Sequence, residues 1–299
     1  MRSRSSVEVR RARPLLGTFV QISAGGKDAI ALELAINAAF AAVAEVHRLM
    51  SFHDPESDVS RMNRDAFHKS VRVHPWTSRV LKGAYEFSRN SDGVFDITTA
   101  RQLVNWNYLP RPDVRFSSRS WRDIILEEKC NVRFRQPLIV DLGGIAKGFA
   151  VDRAIETLKA NGVMAGIVNA GGDVRVFGST PQLIHVRHPA APGRAAGMVR
   201  LRERAMATSG IYFTRKKDGV RYVSPLLDGH TGRSARELIS VSVAATECMP
   251  ADALTKIVFS LREKAAPLLE RHRADALLLE RDGAPSWIFH SPCDTHDQT

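Results

Sequence analysis

Apolar residues recur along this chain in two patterns, and each pattern predicts a type of secondary structure. Apolar residues at helical spacing predict helices over residues 29–50, 60–64, 76–91, 146–160, 251–262 and 265–273. Alternating or short continuous apolar runs predict strands over residues 15–24, 124–126, 131–134, 138–141, 163–169, 183–187, 198–202, 221–227, 238–245, 276–279 and 286–289. The interleaved helices and strands show no internal repeat and predict an α+β fold.

The segment 139–178 holds the most informative pattern in the chain. A predicted strand ends on Asp141, a turn with Gly143 and Gly144 follows, and a predicted helix begins beside Lys147. Backbone N–H groups at a helix N-terminus behind a glycine turn can hold an anion, and the lysine adds positive charge. The segment fits a phosphate-bearing ligand, and it equally fits a tight structural turn with a solvated lysine. It contains neither a P-loop nor the glycine motif of dinucleotide-binding folds.

Composition narrows the class of protein. The chain has 299 residues, of which 44% are hydrophobic and 25% charged, as is typical of globular proteins. No uninterrupted apolar run approaches eighteen residues, and the N-terminus lacks the apolar core of a secretion signal. We therefore expect a cytoplasmic protein without stable membrane insertion. Cys130, Cys248 and Cys293 are scattered along the chain and fit reduced thiols without a zinc site.

The formal net charge of +11 favours acidic partners such as nucleotides, nucleic acid or anionic lipid. However, the sequence shows no zinc knuckle, no RNA-binding aromatic motif and no long basic helix. We therefore expect no nucleic-acid partner, and a basic solvated surface is the simpler interpretation of the charge.

Eight short motifs occur in order along most of the chain. They are LGT at 16–18, MSFHDPES at 50–57, DGVFD at 92–96, DLGGIAKG at 141–148, GGD at 171–173, ATSG at 207–210, DGHTG at 228–232 and ADA at 251–253. Together these motifs resemble those of the FAD:protein FMN transferases, the ApbE-type flavin transferases. On this basis residues 1–14 are interpreted as a basic arm, 15–290 as the flavin transferase domain and 291–299 as a tail.

The resemblance implies a single α+β fold of two closely joined α/β lobes, with mixed sheets and the flavin site between the lobes. It also implies a chemistry: FMN is transferred from FAD to a Thr or Ser hydroxyl of an acceptor flavoprotein, with release of AMP and with the help of Mg²⁺. A pyrophosphate needs cationic and N–H partners, and a metal would stabilise charge on the attacked phosphorus and on the departing AMP.

Carried over to this chain, the resemblance gives roles to individual residues. Residues that would line the FAD site are Leu16, His53, Val94, Phe95, Asp96, Asp141, Lys147 and Leu226. Residues that would hold Mg²⁺ are Gly144, through its carbonyl, Asp252 and Thr255. The apolar members of the first group are also typical of a hydrophobic core. The two aspartates are harder to explain in that way, because an unpaired buried carboxylate is costly.

This chain departs from the family pattern at the position of a proton acceptor. The family usually has a histidine three residues before the aspartate of the DGHTG motif, and here that position is Pro225. Proline cannot transfer a proton. His230, within the same motif, is the candidate catalytic base in its place.

A second departure concerns the metal ligands. The family has a threonine four residues after the aspartate that corresponds to Asp252, whereas this chain has Lys256 there and Thr255 one position earlier. One position on a helix is a rotation of about 100°, so the hydroxyl leaves the ligand direction. Lys256 would be able to contact phosphate directly, and would then supplement or weaken the metal site.

Two other functions stay open at this point. A flavin-binding paralogue could hold FAD, or hydrolyse it to FMN and AMP, without modifying a protein. A basic nucleic-acid-binding protein is the third hypothesis, and salt-sensitive DNA binding without flavin affinity would support it.

Overall fold

The computed structural model describes residues 7–117, 120–188, 190–191, 193–211, 214–219, 221–234, 240–280 and 284–288. Within these ranges the helices are α1 (Ala29–Met50), α2 (Asp58–Asp65), α3 (Pro75–Asn90), α4 (Ala100–Asn105), α5 (Ala146–Ala160), α6 (Cys248–Leu261) and α7 (Ala266–Arg271). Short 3₁₀ segments are Ile97–Thr99, Trp121–Asp123, Glu128–Cys130 and Arg262–Ala265.

The strands of the described chain come in four sheets. They are β1 (Val7–Leu15), β2 (Thr18–Gly26), β3 (Val71–Arg72), β4 (Ile124–Leu126), β5 (Asn131–Phe134), β6 (Ala165–Ala170), β7 (Asp173–Phe177), β8 (Gln182–Arg187), β9 (Ala195–Leu201), β10 (Ala205–Gly210), β11 (Lys216–Asp218), β12 (Arg221–Val223), β13 (Ser240–Ala245), β14 (Asp275–Leu279) and β15 (Pro285–Ile288). The main sheet has the order β1-β2-β6-β7-β10-β13-β14-β15. Each pair of neighbours in it is antiparallel. The α+β class expected from the sequence is confirmed.

The main sheet is covered on both faces, and its strands show why. Along β10, Ala205 and Ala207 point into the larger hydrophobic core, which also contains the buried faces of α1, α5 and α6. Met206, between them, points into a smaller core together with Val186 of β8 and Leu201 of β9. The period-two alternation of a strand thus places helices on one face and the β8–β9 hairpin on the other.

Local sequence explains where the N-terminal helices begin. The Asp28 carboxylate accepts a hydrogen bond from the Ile30 backbone N–H at 2.9 Å and so caps α1. Pro75 stands in the first turn of α3, where its missing N–H costs nothing. Helix α6 differs, because Glu247 provides no side-chain cap.

The start of α6 is capped from another helix. The Asp152 carboxylate, on α5, accepts hydrogen bonds from the backbone N–H groups of Cys248 and Met249, both at 2.8 Å. The same carboxylate pairs with Arg175 of β7 at 2.6 Å. One buried side chain therefore fixes α5, α6 and the sheet relative to one another.

Helix α1 has the length and composition of a membrane-crossing helix, with a mean hydropathy of 1.8 over eighteen residues. In the structure its buried residues, including Ile36, Phe40 and Val43, pack into the larger core. A core helix of a soluble protein passes the same composition test.

Five described strands were not predicted from the sequence, namely β1, β3, β7, β10 and β11. Val7–Leu15, which we interpreted as part of a basic arm, is β1 and pairs along its full length with β2. It is an edge strand with mostly exposed residues, so it lacks the apolar pattern of a buried strand. Strands β7 and β10 are short and follow turns with glycine or charged residues. We therefore recognised their residues as parts of motifs and did not predict them as strands. Residues 1–6, Cys293 and the expected tail lie outside the described residues.

One predicted strand is absent. Residues 138–140 are buried and Asp141 is half-buried, but the segment joins no sheet. Instead, the Asn63 side chain accepts a hydrogen bond from the Val140 N–H at 2.8 Å and donates one to its carbonyl at 3.0 Å. The Asp141 N–H donates to the Ile97 carbonyl at 3.0 Å. The segment is apolar because it is core, and its backbone polar groups are satisfied by a side chain and a loop.

Candidate functional site

A cavity of about 380 Å³ lies at the glycine turn before α5. Seven of the residues predicted from the resemblance line it, namely Val94, Phe95, Asp96, Asp141, Gly144, Lys147 and Leu226. Many of the other lining residues are apolar, and a second lysine, Lys256 of α6, also reaches the cavity. The cavity thus combines apolar walls with two cationic side chains, which is the combination expected of a site for an aromatic phosphate ligand.

The loop 92–96 forms part of the wall through its own hydrogen bonds. Asp92 and Gly93 both have positive φ, at 49° and 80°, and turn the chain back toward α3. The Asp96 carboxylate accepts hydrogen bonds from both the N–H and the hydroxyl of Thr98 at 2.8 Å. Asp96 therefore lines the cavity while also capping the 3₁₀ segment that follows it.

Phe95 combines packing and lining in the same way. It is buried, with its ring edge-to-face with Phe87 at 6.0 Å, and it faces the position of Gly144. Phe95 therefore belongs both to the hydrophobic core and to the wall of the cavity.

Asp141 is held at the edge of the cavity. Its carboxylate accepts the Gly143 N–H at 3.1 Å. Burial raises the pKa of Asp141, while the Gly143 N–H and the charge of His53 act in the opposite direction. His53 is exposed and lies close enough to influence this carboxyl, although it is not among the residues lining the cavity.

Lys147 stands in the first turn of α5 and contacts the buried carboxylate of Asp173, the first residue of β7. Burial lowers the pKa of Lys147, but the carboxylates of Asp173 and Asp252 outweigh it and leave the pKa raised. Burial and the neighbouring Asp252 carboxylate raise the pKa of Asp173, against the two lysines. Lys147 is consequently a half-buried ammonium that is paired with Asp173.

The N-terminus of α5 contacts a carboxylate of the protein itself, that of Asp252. The Gly148 N–H donates to the Asp252 carboxylate at 3.0 Å, and the Ala146 N–H donates to the Leu142 carbonyl at 2.8 Å. These groups are therefore engaged within the fold. These two N–H groups are thus not free for an anion in the cavity, whereas the side chains of Lys147 and Lys256 reach it.

The residues predicted to hold Mg²⁺ do not offer it a free set of ligands. Asp252 is fully buried, and its carboxylate is shared between the Gly148 N–H and the Lys256 ammonium. The Thr255 hydroxyl donates to the Asp252 carbonyl at 2.7 Å and pairs with the Ser209 hydroxyl at 2.7 Å. Among the described residues, no cluster of three His, Cys, Asp or Glu side chains suits a metal ion. The residues present do not fit Mg²⁺, which prefers several unshared oxygen ligands.

The segment 225–227 supplies another part of the cavity wall. Pro225 and Leu226 line the cavity. The following turn is fixed against the loop 92–96, because the Gly229 N–H donates to the Val94 carbonyl at 2.8 Å. A Cβ on Gly229 would stand 2.4 Å from the Gly93 carbonyl oxygen, so only glycine fits there. His230 lies exposed on this turn and is not among the residues lining the cavity.

Leu16 lies in the first hairpin of the main sheet. It occupies the tight turn between β1 and β2 with a φ of 56°, and its half-buried side chain packs against the larger core. The turn approaches the GGD motif, since a Cβ on Gly171 would stand 2.7 Å from the Thr18 hydroxyl oxygen. Leu16 is not among the residues lining the cavity.

Sequence reasoning missed two features of the site. Asp173 belongs to the GGD motif, but its position in the sequence does not show that it pairs with Lys147. The pair joins the start of α5 to the start of β7. Tyr108 lines the cavity and donates from its hydroxyl to the Thr214 and Val223 carbonyls at 2.6 and 2.9 Å. Its position in a polar aromatic stretch was the only available signal.

Comparison with known proteins agrees with this geometry. The chain is 29% identical to the FAD:protein FMN transferase of Vibrio cholerae over 254 residues, which cover 79% of this chain and 76% of that protein. Its structure is similar to that of the ApbE protein of Thermotoga maritima, with a TM-score of 0.84 and 28% identity over 94% of this chain and 97% of the other. The flavin transferase ApbE of Vibrio cholerae gives a TM-score of 0.79, with 26% identity over 95% and 97% of the two chains. The family model described as the ApbE family matches residues 16–278, and this chain therefore belongs to the ApbE family.

Proposed function

We propose that this protein transfers FMN from FAD to a Thr or Ser hydroxyl of an acceptor flavoprotein and releases AMP. The observation that carries the proposal is the cavity itself, where Lys147 and Lys256 stand beside a glycine turn and apolar walls. The isoalloxazine ring would pack against apolar side chains such as Phe95 and Leu226. The two ammonium groups would donate hydrogen bonds to the pyrophosphate.

The transfer is a displacement at phosphorus. The acceptor hydroxyl oxygen forms a bond to the phosphorus on the FMN side, the bond from that phosphorus to the bridging oxygen breaks, and AMP leaves with the electron pair. The hydroxyl proton goes to a base. We assign this role to His230, which is exposed and can be reached by a protein that presents its hydroxyl from solvent.

Magnesium stays a prediction from the sequence resemblance. Gly144, Asp252 and Thr255 were predicted as its ligands, and the contacts of Asp252 and Thr255 argue against that role. No step of the proposed transfer depends on the metal.

A second function is favoured by one specific observation. Pro225 lines the cavity at the position where relatives have a histidine, and it can accept no proton. A chain without a base near the acceptor hydroxyl would bind FAD, or hydrolyse it with water, and leave proteins unmodified.

The test is to incubate the purified protein with FAD and a protein extract of its source organism. Covalent flavin is read as fluorescence on a denaturing gel, while AMP, FMN and FAD are separated by chromatography. We expect a fluorescent protein band together with AMP. Free FMN and AMP without a band would support the hydrolase, and intact FAD bound to the protein would support the flavin-binding alternative. A matched sample without FAD controls for flavin already attached to proteins of the extract.

A further inference from the structure

Lys256 stands where the metal of the family site is expected. It lies one helical turn after Asp252 on α6, and its ammonium contacts the Asp252 carboxylate and donates to the Asp252 carbonyl at 2.9 Å. Its Cε is 3.8 Å from the position a Cβ on Gly144 would take. One lysine side chain is therefore in contact with the carboxylate and beside the glycine that were predicted as metal ligands.

The third predicted ligand already has hydrogen-bond partners within the fold. The Thr255 hydroxyl is bonded to Ser209 of β10 and to the carbonyl of its own helix. The threonine one position early thus serves the packing of α6 on the sheet. The lysine at the position the family gives to threonine is directed to the cavity.

Both lysines beside the cavity already pair with buried carboxylates. The buried carboxylates of Asp173 and Asp252 face the ammonium groups of Lys147 and Lys256. A divalent ion placed at Asp252 would be repelled by the ammonium that is already bonded to the same carboxylate. It would also have to displace that ammonium to reach the carboxylate oxygen.

The ammonium of Lys256 also keeps capacity for a ligand. An ammonium has three N–H donors, and the two contacts with Asp252 use two of them. The third is available to a phosphate oxygen, because the side chain lines the cavity and is still 16% exposed. Lysine is an effective phosphate partner as a point charge.

We propose that Lys256 replaces the divalent metal in this protein, so that its free N–H donor contacts the pyrophosphate and FAD is bound without Mg²⁺. This inference rests on the proposed function only in naming the pyrophosphate of FAD as the ligand. The exclusion of a metal by Lys256 is a property of the chain alone, and it is tested separately below.

The first experiment measures metal binding without flavin. Mn²⁺ serves as the probe, because its free form is detected by electron paramagnetic resonance. We expect no stoichiometric Mn²⁺ binding to the wild-type protein and one bound Mn²⁺ in Lys256→Thr, which restores a hydroxyl and removes the charge. Binding of one Mn²⁺ by the wild type would overturn the proposal. So would failure of a folded Lys256→Thr variant to gain a site.

The second experiment measures the Kd for FAD by flavin fluorescence, in EDTA and in millimolar Mg²⁺. We expect the wild-type Kd to be the same in both, and the Kd of Lys256→Thr to rise by about tenfold in EDTA and recover with Mg²⁺. A wild-type Kd that falls by about tenfold on adding Mg²⁺ would overturn the proposal. If the wild type binds no FAD in either condition, the proposed function fails, and the Mn²⁺ result alone decides the role of Lys256.

Two further variants keep the result interpretable. Lys256→Gln retains a donor for Asp252 but carries no charge, so it separates loss of charge from loss of folding. We expect its FAD affinity to fall by about tenfold in EDTA as well. Lys264→Thr makes the same change at an exposed lysine after α6, and it should match the wild type in both experiments.

Discussion

Gly148 of α5 lies so close to Cys248 of α6 that a Cβ on the glycine would stand 2.3 Å from the cysteine carbonyl oxygen. The two helices cross at this point with backbone against backbone. The crossing brings Lys147, one residue earlier on α5, beside Asp252 on α6. The geometry of the cationic part of the cavity thus depends on a residue that has no side chain.

Gly148→Ala is therefore expected to push α5 and α6 apart. The loss should be about 1–3 kcal/mol of unfolding free energy, as for overpacking of a core. The Kd for FAD should rise as well. Urea denaturation and flavin titration measure the two effects.

Gly83→Ala is the matched control for that change. The nearest atom to a Cβ at Gly83, in α3, would be the methyl end of Met249 at 3.1 Å, which can move. Alanine also favours a helix over glycine by up to about 1 kcal/mol. This variant should be as stable as the wild type or more so, and equal losses in the two variants would contradict the role given to the crossing.

Lys147→Gln is expected to weaken FAD binding, because it removes one of the two cations beside the cavity. The expected rise in Kd is about tenfold or more, measured by flavin fluorescence. Lys159→Gln changes a lysine on the same helix that pairs with Glu203 at the surface, and it should leave the Kd unchanged. Equal affinities of the wild type and the Lys147 variant would show that the glycine turn is only structural.

His230→Ala tests the candidate base. Since the side chain is outside the cavity lining, we expect an unchanged Kd for FAD. The rate of covalent flavin attachment should fall by about 10²-fold or more, the usual contribution of a general base. A rate near that of the wild type would exclude His230 from proton transfer.

Asp152 gives a prediction of pH dependence. Burial raises its pKa to about 6, against the effects of Arg175 and of the N–H groups at the start of α6. The folded state therefore binds a proton on this group at a higher pH than the unfolded state does. Its contribution to stability is full below the unfolded pKa, near 3.8, and is lost as the pH rises through about 6.

The comparison with Asp152→Asn isolates this group, because all other titrations are shared. Between about pH 7 and pH 5 the wild type should gain about 1 kcal/mol of unfolding free energy over the variant. Urea denaturation at the two pH values measures the difference. A constant difference would mean that the pKa of Asp152 is not raised.

The fold was predicted best where one element carries its own pattern. Helices α1 and α5 and the apolar strand β13 were predicted from the spacing of their apolar residues, because the buried positions of each recur within one short segment. Edge strand β1 has no such pattern, and only its pairing with β2 defines it. Residues 138–140 show the reverse case, where an apolar run is buried without a sheet.

The site was predicted in part for the same reason. Motifs and resemblance found residues such as Phe95 and Lys147, which the structure places around one cavity. They could not show what Asp252 contacts, because its partners Gly148 and Lys256 are set by a helix crossing and by side-chain direction. Sequence order likewise says nothing of the distance from Leu16 to the cavity.

The walls of the cavity extend in sequence from Val94 to Lys256, more than half the length of the chain. Contacts over such distances must bear the entropy of closing long loops, so they form late in folding. During synthesis, the ribosome must release α6 before the pocket has its second cation. The growing chain would therefore not capture flavin in this way until the segment up to Lys256 has left the ribosome.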